Sequence, residues 1–297
     1  MFDHWTSVAG HTYTAATAHF IDDDWELHAA TLCCESNPNQ STAPQIRREV
    51  HDARIDYGLD VDKLVSITID TAANMNAAGM LFEAHDHVPR HYCFAHVIEL
   101  TTEVAFSDER LPGANGVMRA ARKLVGHFAS STQANALSLS LQPPDAKHHR
   151  VTVIQDFATR YWSTYSICGR LLRLQPFFAV VENRGQLSCN LTDEQWVTLG
   201  KIKKLLQPFM SVQIWMEGQS NVTISLIPYV VSTVRAKLEA FVTDHRQTPL
   251  EVLGRELIRD FNSRVGEGAP GTVFTENNER AALNRRQKGI SQKAFIV

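Results

Sequence analysis

Asp70 is the residue of this chain whose position most clearly suggests chemistry. It follows an apolar, largely β-branched stretch at residues 64–69 and precedes residues 72–81, which are rich in Ala and Met. This pattern predicts a buried strand, an acid and then a helix. Ligands and metals bind at the carboxyl ends of strands in open α/β sheets, so Asp70 is a candidate site residue. The same position suits a helix N-cap, and the spacing alone allows both interpretations.

Cys93 and His96 form a second pair with chemical potential. Their C-x-x-H spacing could supply two zinc ligands, but a structural zinc site takes four, and no C-x-x-C pair accompanies them. A short strand that turns into a helix ending near Phe106 is predicted around them. We therefore expect a structural pair, a buried cysteine and a histidine fixed by hydrogen bonds, and no zinc in this chain.

A third group of residues combines a cation with aromatic rings. Arg160, Tyr161 and Trp162 lie between an apolar residue, Ile154, and a long predicted helix. Such a group can stack on bases and contact the backbone of a nucleic acid. It can equally be a packing cluster in which the arginine stem covers apolar surface.

The elements that would position these residues fall into two classes. Strands are predicted for residues 13–21, 25–33 and 64–69, and a weakly amphipathic helix for 46–57. Asp22, Asp23 and Asp24 form the predicted turn between the first two strands, where we expect no calcium because neither a Gly nor a later Glu completes a calcium loop. Helical periodicity predicts helices over residues 117–128, 132–141, 165–182, 193–216, 223–241 and 249–265. Thr192 and Gln195 have the spacing of a capping box, and Pro208 and Pro228 are expected to kink or divide their helices.

Composition excludes several classes of protein. The 297 residues have a formal net charge of −3, so the chain as a whole does not attract DNA, and any nucleic-acid binding must come from local patches. Five scattered cysteines, an odd number, fit a reducing compartment. No stretch approaches the roughly 18 apolar residues of a membrane span, and no membrane association is expected.

Several motifs, in a fixed order, resemble the hAT superfamily of DNA transposases and their domesticated relatives, including BED zinc-finger proteins. The opening strands and the second acid motif of that family are similar to three segments here: Asp3-x-Trp5-Thr6-Ser7, His19-Phe20-Ile21-Asp22-x-x-Trp25 and Thr68-x-Asp70-x-Ala72-Ala73-Asn74-Met75. The later motifs are similar to Cys93-Phe94-Ala95-His96, Thr159-Arg160 with Ser163-Thr164-Tyr165, and the segments 191–196 and 285–290.

The resemblance implies an α/β fold: a partial, mixed RNase H-like sheet with a large all-helical insertion. It implies that Asp3 and Asp70 are catalytic carboxylates that lie on neighbouring strands, about 4.8 Å apart, and bind Mg²⁺ or Mn²⁺ for two-metal phosphoryl chemistry. It assigns DNA contact to Arg160, Tyr161 and Trp162, although Tyr161-Trp162 stands where the family usually has Trp-Asn. DNA as partner, a homo-oligomer in the intact family and a nuclear location are further implications.

The expected organisation has three parts: residues 1–106 as the N-terminal part of the RNase H-like core, 107–170 as the link that carries the Arg-aromatic motif, and 171–297 as the helical insertion. The family's third carboxylate would lie beyond Val297, so this fragment of a transposase is expected to be inactive and to bind DNA weakly. The alternative is a domesticated, non-catalytic, DNA-associated interaction protein of the nucleus.

Overall fold

The computed structural model describes residues 1–7, 9–37, 42–107, 112–143, 150–154, 161–216, 226–265 and 295–296. They form two compact units. The first comprises Met1–Val97 with Met216–Pro228 and Ser263–Val297, and the second comprises Ile98–Trp215 and Tyr229–Asn262. This division into two units does not test the three-part organisation expected from the sequence, which stays a prediction.

The first unit contains the sheet and two helices. Its elements are β1 (Phe2–Thr6), β2 (Thr12–Ile21), β3 (Leu27–Asn37), α1 (Ala43–Asp56), β4 (Leu64–Ile69), α2 (Ala73–Asp86), β5 (Arg90–Tyr92) and β6 (Phe295–Ile296). The predicted strand at 25–33 begins two residues later, because Asp22 and Glu26 close the hairpin turn and Trp25 adopts a positive φ of 65° there. The mixed α/β fold, with a small sheet and many helices, agrees with the predicted α/β class and with the predicted helical region.

The sheet is mixed, and its register determines which residues meet. β2 pairs antiparallel with β1, β3 and β6, while β4 pairs parallel with β5 and β6. Because β1 and β6 are both antiparallel to β2, they run in the same direction, and β1 is therefore parallel to β4. β6 pairs with His19 and Phe20 of β2, whereas β1 pairs with residues 12–16. β6 and β1 therefore lie end to end along β2.

Apolar side chains on one face of the sheet pack against α1 and α2. The largest fully buried side chains of this core belong to Phe2, Ile46, Ile67, Ile69, Met75 and Phe82. Gly79 of α2 permits this packing, because a Cβ at that position would lie 2.8 Å from Ile69 Cδ1 and 3.0 Å from Arg90 Cδ. The glycine thus lets α2 approach β4 and β5 closely enough to fix the end of the strand that precedes Asp70.

Helices account for nearly all described residues from 94 to 265. They are α3 (Phe94–Ser107), α4 (Pro112–Ser130), α5 (Thr132–Leu141), α6 (Tyr161–Asn183), α7 (Asp193–Met216), α8 (Ile227–Asp244) and α9 (Pro249–Val265). The prediction that residues 171–297 are mainly helical is confirmed for the described part, with the two-residue β6 as the exception. The buried core of the second unit includes Phe128, Leu171, Phe178, Leu206 and Phe209.

Helix ends follow local signals in the sequence. The capping box is confirmed: the Gln195 N–H donates to Thr192 Oγ1 over 3.2 Å, and the Thr192 N–H donates to Gln195 Oε1 over 3.0 Å. Pro208 lies inside α7, which continues past it, and Pro228 lies in the first turn of α8, where proline is tolerated. Pro208 therefore does not divide its helix, while a kink at either proline stays a prediction. No described helix is long and apolar enough to cross a membrane.

Candidate functional site

The register of the sheet places Asp3 level with Asp70. Ile296 pairs with His19 on one side and with Ser66 on the other. Asp3 pairs with Ala15, which lies four residues before His19 on β2. On the other side, Asp70 lies four residues after Ser66, just past the end of β4. Asp70 follows the carboxyl end of β4, and Asp3 lies level with it on β1, which runs in the same direction, as two carboxylates that share a cation would need. This place, at the carboxyl end of β4, is called the two-acid edge below.

Asp70 combines the two roles that its sequence position allowed. Its Oδ1 accepts a hydrogen bond of 2.9 Å from the Ala72 N–H, which closes the turn between β4 and α2. No hydrogen bond to Oδ2 is recorded among the described residues, and the residue is half-buried. One oxygen therefore holds the turn while the other is available to a ligand.

Asp3 is held less tightly than Asp70. It is exposed, and its Oδ1 accepts a 2.8 Å hydrogen bond from the His4 N–H. Its neighbour Phe2, only 1% exposed, points into the core and anchors β1, so strand alternation directs Asp3 to the opposite face. The amino group of Met1 donates to the Thr17 carbonyl over 2.8 Å and pairs the start of the chain with β2.

Cys93 and His96 lie at the same edge as the two acids. The Cys93 N–H donates to the Ile69 carbonyl over 2.6 Å, which places the start of α3 beside Asp70. Burial raises the pKa of the Cys93 thiol, the N–H groups of His96 and Ala95 oppose the rise, and the charges of Asp3 and Asp70 add to it.

Thr71 is the residue of this site that the sequence-based predictions missed. Its Oγ1 lies 3.1 Å from His96 Nε2, so the motif that carries Asp70 and the motif that carries His96 are joined by a hydrogen bond. The only signal was that Thr71 directly follows Asp70. The bond agrees with the expectation that hydrogen bonds fix His96, while the absence of zinc stays a prediction.

Among the described residues, one group of three possible metal ligands lies within 4.8 Å of one another: Asp22, Glu26 and His28, in the β2–β3 hairpin and away from the two-acid edge. Asp22 there already accepts hydrogen bonds from two backbone N–H groups and binds His28 Nε2 at 2.6 Å. These contacts close the hairpin turn.

His87 and His91 have the H-x-x-x-H spacing of a zinc-ligand pair, which the expectation of no zinc overlooked. His91 is only 6% exposed, and its Nδ1 has no hydrogen-bond partner among the described residues. Burial lowers its pKa to about 4. His91 is therefore a buried residue that favours the neutral form, and it belongs to no group of three possible metal ligands in the described part of the chain.

The Arg-aromatic motif is only partly described. Arg160 lies outside the described residues, and for Tyr161 and Trp162 only the backbone, at the beginning of α6, is described. Their assignment to nucleic-acid contact stays a prediction.

The donor set of the edge suits a hard cation. Carboxylate oxygens are the ligands that Mg²⁺ and Mn²⁺ prefer, and Asp3 and Asp70 each offer one that is not used by a backbone N–H. When bound, such an ion supplies a Lewis acid for phosphoryl transfer. Among the described residues, however, no group of three possible metal ligands includes this pair.

Two comparisons with known proteins show what this chain is similar to. Residues 1–89 match the family model described as the ZBED1 RNase-like domain. A protein from Talaromyces stipitatus named "Putative transcriptional regulator tpeD" is 22% identical over 272 aligned residues. The alignment covers 80% of this chain and 31% of that protein, so the chain spans about a third of the length of this relative. Over residues 1–89, the segment that carries Asp3 and Asp70, the chain is thus similar to an RNase-like domain of the ZBED1 type.

Proposed function

We propose that this chain is part of a transposase-derived, DNA-associated regulatory protein of the nucleus that does not cut DNA. ZBED1, whose RNase-like domain matches residues 1–89, is a domesticated hAT transposase. The second relative carries a name that describes it as a transcriptional regulator. A domesticated transposase as one relative and a named transcriptional regulator as the other support a DNA-linked regulatory role.

The arrangement of Asp3 and Asp70 carries the proposal. The strand register puts Asp3 level with Asp70, and this supports a nuclease-like ancestor. Two carboxylates without a third leave a metal pair with too few hard ligands, and a missing metal-bound oxygen partner removes several kcal/mol of transition-state stabilisation, a thousandfold or more in rate. Asp3 also lies on an exposed first strand, where the precise positioning that catalysis requires is hard to maintain.

A second candidate is an active hAT-type transposase core. The observation in its favour is the level placement of Asp3 and Asp70 on parallel strands. In this alternative, the two side chains would hold the cation, which would supply a Lewis acid for the scissile phosphate. It requires a third carboxylate that the described residues do not supply.

Binding to DNA is the first experiment. A short labelled duplex is titrated with the purified chain in EDTA, and fluorescence anisotropy is recorded at increasing salt. We expect weak binding that is lost as salt rises, because contacts to phosphates release counterions. A chain that leaves the anisotropy unchanged even at low salt would contradict DNA association and leave an interaction with proteins as the remaining role.

A further inference from the structure

Charge is divided unequally along this chain. Residues 1–97 contain 14 Asp and Glu against 5 Lys and Arg, whereas residues 98–297 contain 24 Lys and Arg against 18 Asp and Glu. By net charge, residues 1–97 therefore repel a phosphate backbone, and residues 98–297, which include all helices from α4 to α9, attract one. If the protein contacts DNA, the helices are the place to search for the contact.

Lys203 of α7 is held in a defined position against α6. Its Nζ lies 5.5 Å from the centre of the Tyr165 ring, within the range of a cation–π interaction. A Cβ at Gly169 would lie 3.3 Å from Lys203 Cε and 3.4 Å from its Nζ. The missing side chain of Gly169 thus leaves the space in which the lysine stem lies, and the ring of Tyr165 orients the ammonium group.

Arg170 adds a second cation on the helix against which Lys203 packs. It follows Gly169 on α6, and its Nη1 donates to the Thr152 carbonyl over 2.6 Å. Arg173 lies three positions further along, on the same side of the helix. After burial, the positive charge of Arg173 is a second cause that lowers the pKa of Arg170, which shows that the two guanidinium groups feel each other's charge.

Lys203 and Arg170 are not neutralised by a carboxylate of the described residues, since no ion pair joins either of them to one. Both are half-buried, so their hydration is already reduced, and an anion bound there would offset their positive charge.

We propose that Tyr165, Arg170 and Lys203 form a phosphate-binding surface, the α6–α7 cationic surface, which contacts the backbone of duplex DNA. The proposal rests on the DNA association proposed above and assigns the contact to side chains of the helical unit. Lys203 and Arg170 would each neutralise one phosphate, and Tyr165 would hold the lysine rather than read a base.

The salt dependence of DNA binding tests this surface. The slope of log K against log salt is about −0.9 for each phosphate neutralised on a duplex. We expect Lys203→Gln and Arg170→Gln each to reduce the magnitude of the slope by about 1, for any DNA sequence. Lys201→Gln is the matched control, because it removes the same charge from the same helix two residues away, on the opposite side of α7.

A Gly169→Ala variant separates position from charge. It keeps every cation but places a methyl group where the Lys203 stem lies, so we expect it to weaken binding in the same way as Lys203→Gln, with an unchanged helical circular dichroism spectrum. Equal effects of Lys201→Gln and Lys203→Gln, or no effect of Lys203→Gln, would overturn the surface while DNA association stands. A wild-type chain that does not bind the duplex would overturn both proposals.

Discussion

Asp70 illustrates how one side chain can serve the fold and a site together. Its Oδ1 bonds to the Ala72 N–H and closes the strand-to-helix turn, while Oδ2 lies at the edge shared with Asp3. The stability of the turn alone is therefore a sufficient reason for a hydrogen-bond acceptor at position 70, and the carboxylate by itself is not evidence of catalysis. Different substitutions of Asp70 distinguish the structural role from the ligand role.

The first prediction uses that separation. Asp70→Asn keeps an acceptor oxygen for the Ala72 N–H, so we expect little change in the free energy of unfolding. Asp70→Ala removes the acceptor and should lower it by about 1 kcal/mol. Urea denaturation measures both values. An Asn variant as unstable as the Ala variant would show that the negative charge, and not the hydrogen bond, stabilises the turn.

The second prediction concerns His91. Burial lowers its pKa from the ordinary value of 6.5 to about 4, so the folded state takes up its proton only at lower pH than the unfolded chain. Its contribution to stability is complete above pH 6.5 and is lost as the pH falls from 6.5 towards 4, by up to about 3 kcal/mol. Chemical denaturation across this pH range measures the loss.

The His91→Gln variant should flatten this dependence, whereas His11→Gln, on an exposed turn, should keep it. Burial lowers the pKa of His19 as well, so part of the slope will remain in the His91 variant. A pH dependence that is the same in all three proteins would mean that His91 is not the group responsible.

At the scale of elements, the close approach of α2 to β4 and β5 depends on Gly79. The third prediction is that Gly79→Ala lowers the free energy of unfolding by about 1–2 kcal/mol. The overpacking penalty against Ile69 is about 1–3 kcal/mol, and the better helix propensity of Ala returns up to about 1 kcal/mol. Thermal and urea denaturation measure the change.

Gly126 provides the matched control for this prediction. It is exposed inside α4, and a Cβ there would meet nothing within 4 Å. Gly126→Ala should therefore raise the stability by up to about 1 kcal/mol. If both alanine variants stabilise the protein, α2 does not pack against the sheet as closely as described.

Local elements were largely predictable from the sequence, and their pairing was not. α5, α7 and α9 have the predicted limits, because capping residues and apolar periodicity are local signals. The alignment of Asp3 with Asp70 depends on the register between β1, β2 and β6, which no neighbouring residues encode. Nor did the sequence reveal that Thr71 bonds to His96 or that Gly79 admits Ile69, since these contacts join residues at least ten positions apart.

For the whole molecule, the charge distribution and the two-acid edge point to different partners. An acidic sheet segment that presents two carboxylates suits a cation, and a basic helical segment suits a phosphate backbone. An active enzyme of this class would need both on the same DNA together with a complete metal site. The proposed regulatory protein needs only the helical contact.

The measurement that tests this account most directly is a nicking and joining reaction on a duplex that the chain binds. The purified chain and its Asp70→Asn variant are incubated with that duplex in Mg²⁺ and in Mn²⁺, and the strands are analysed on a denaturing gel. We predict that both proteins bind the duplex and that neither produces cut or joined strands. Metal-dependent nicking by the wild-type chain that Asp70→Asn abolishes would contradict the account and show that the edge formed by Asp3 and Asp70 is an active site.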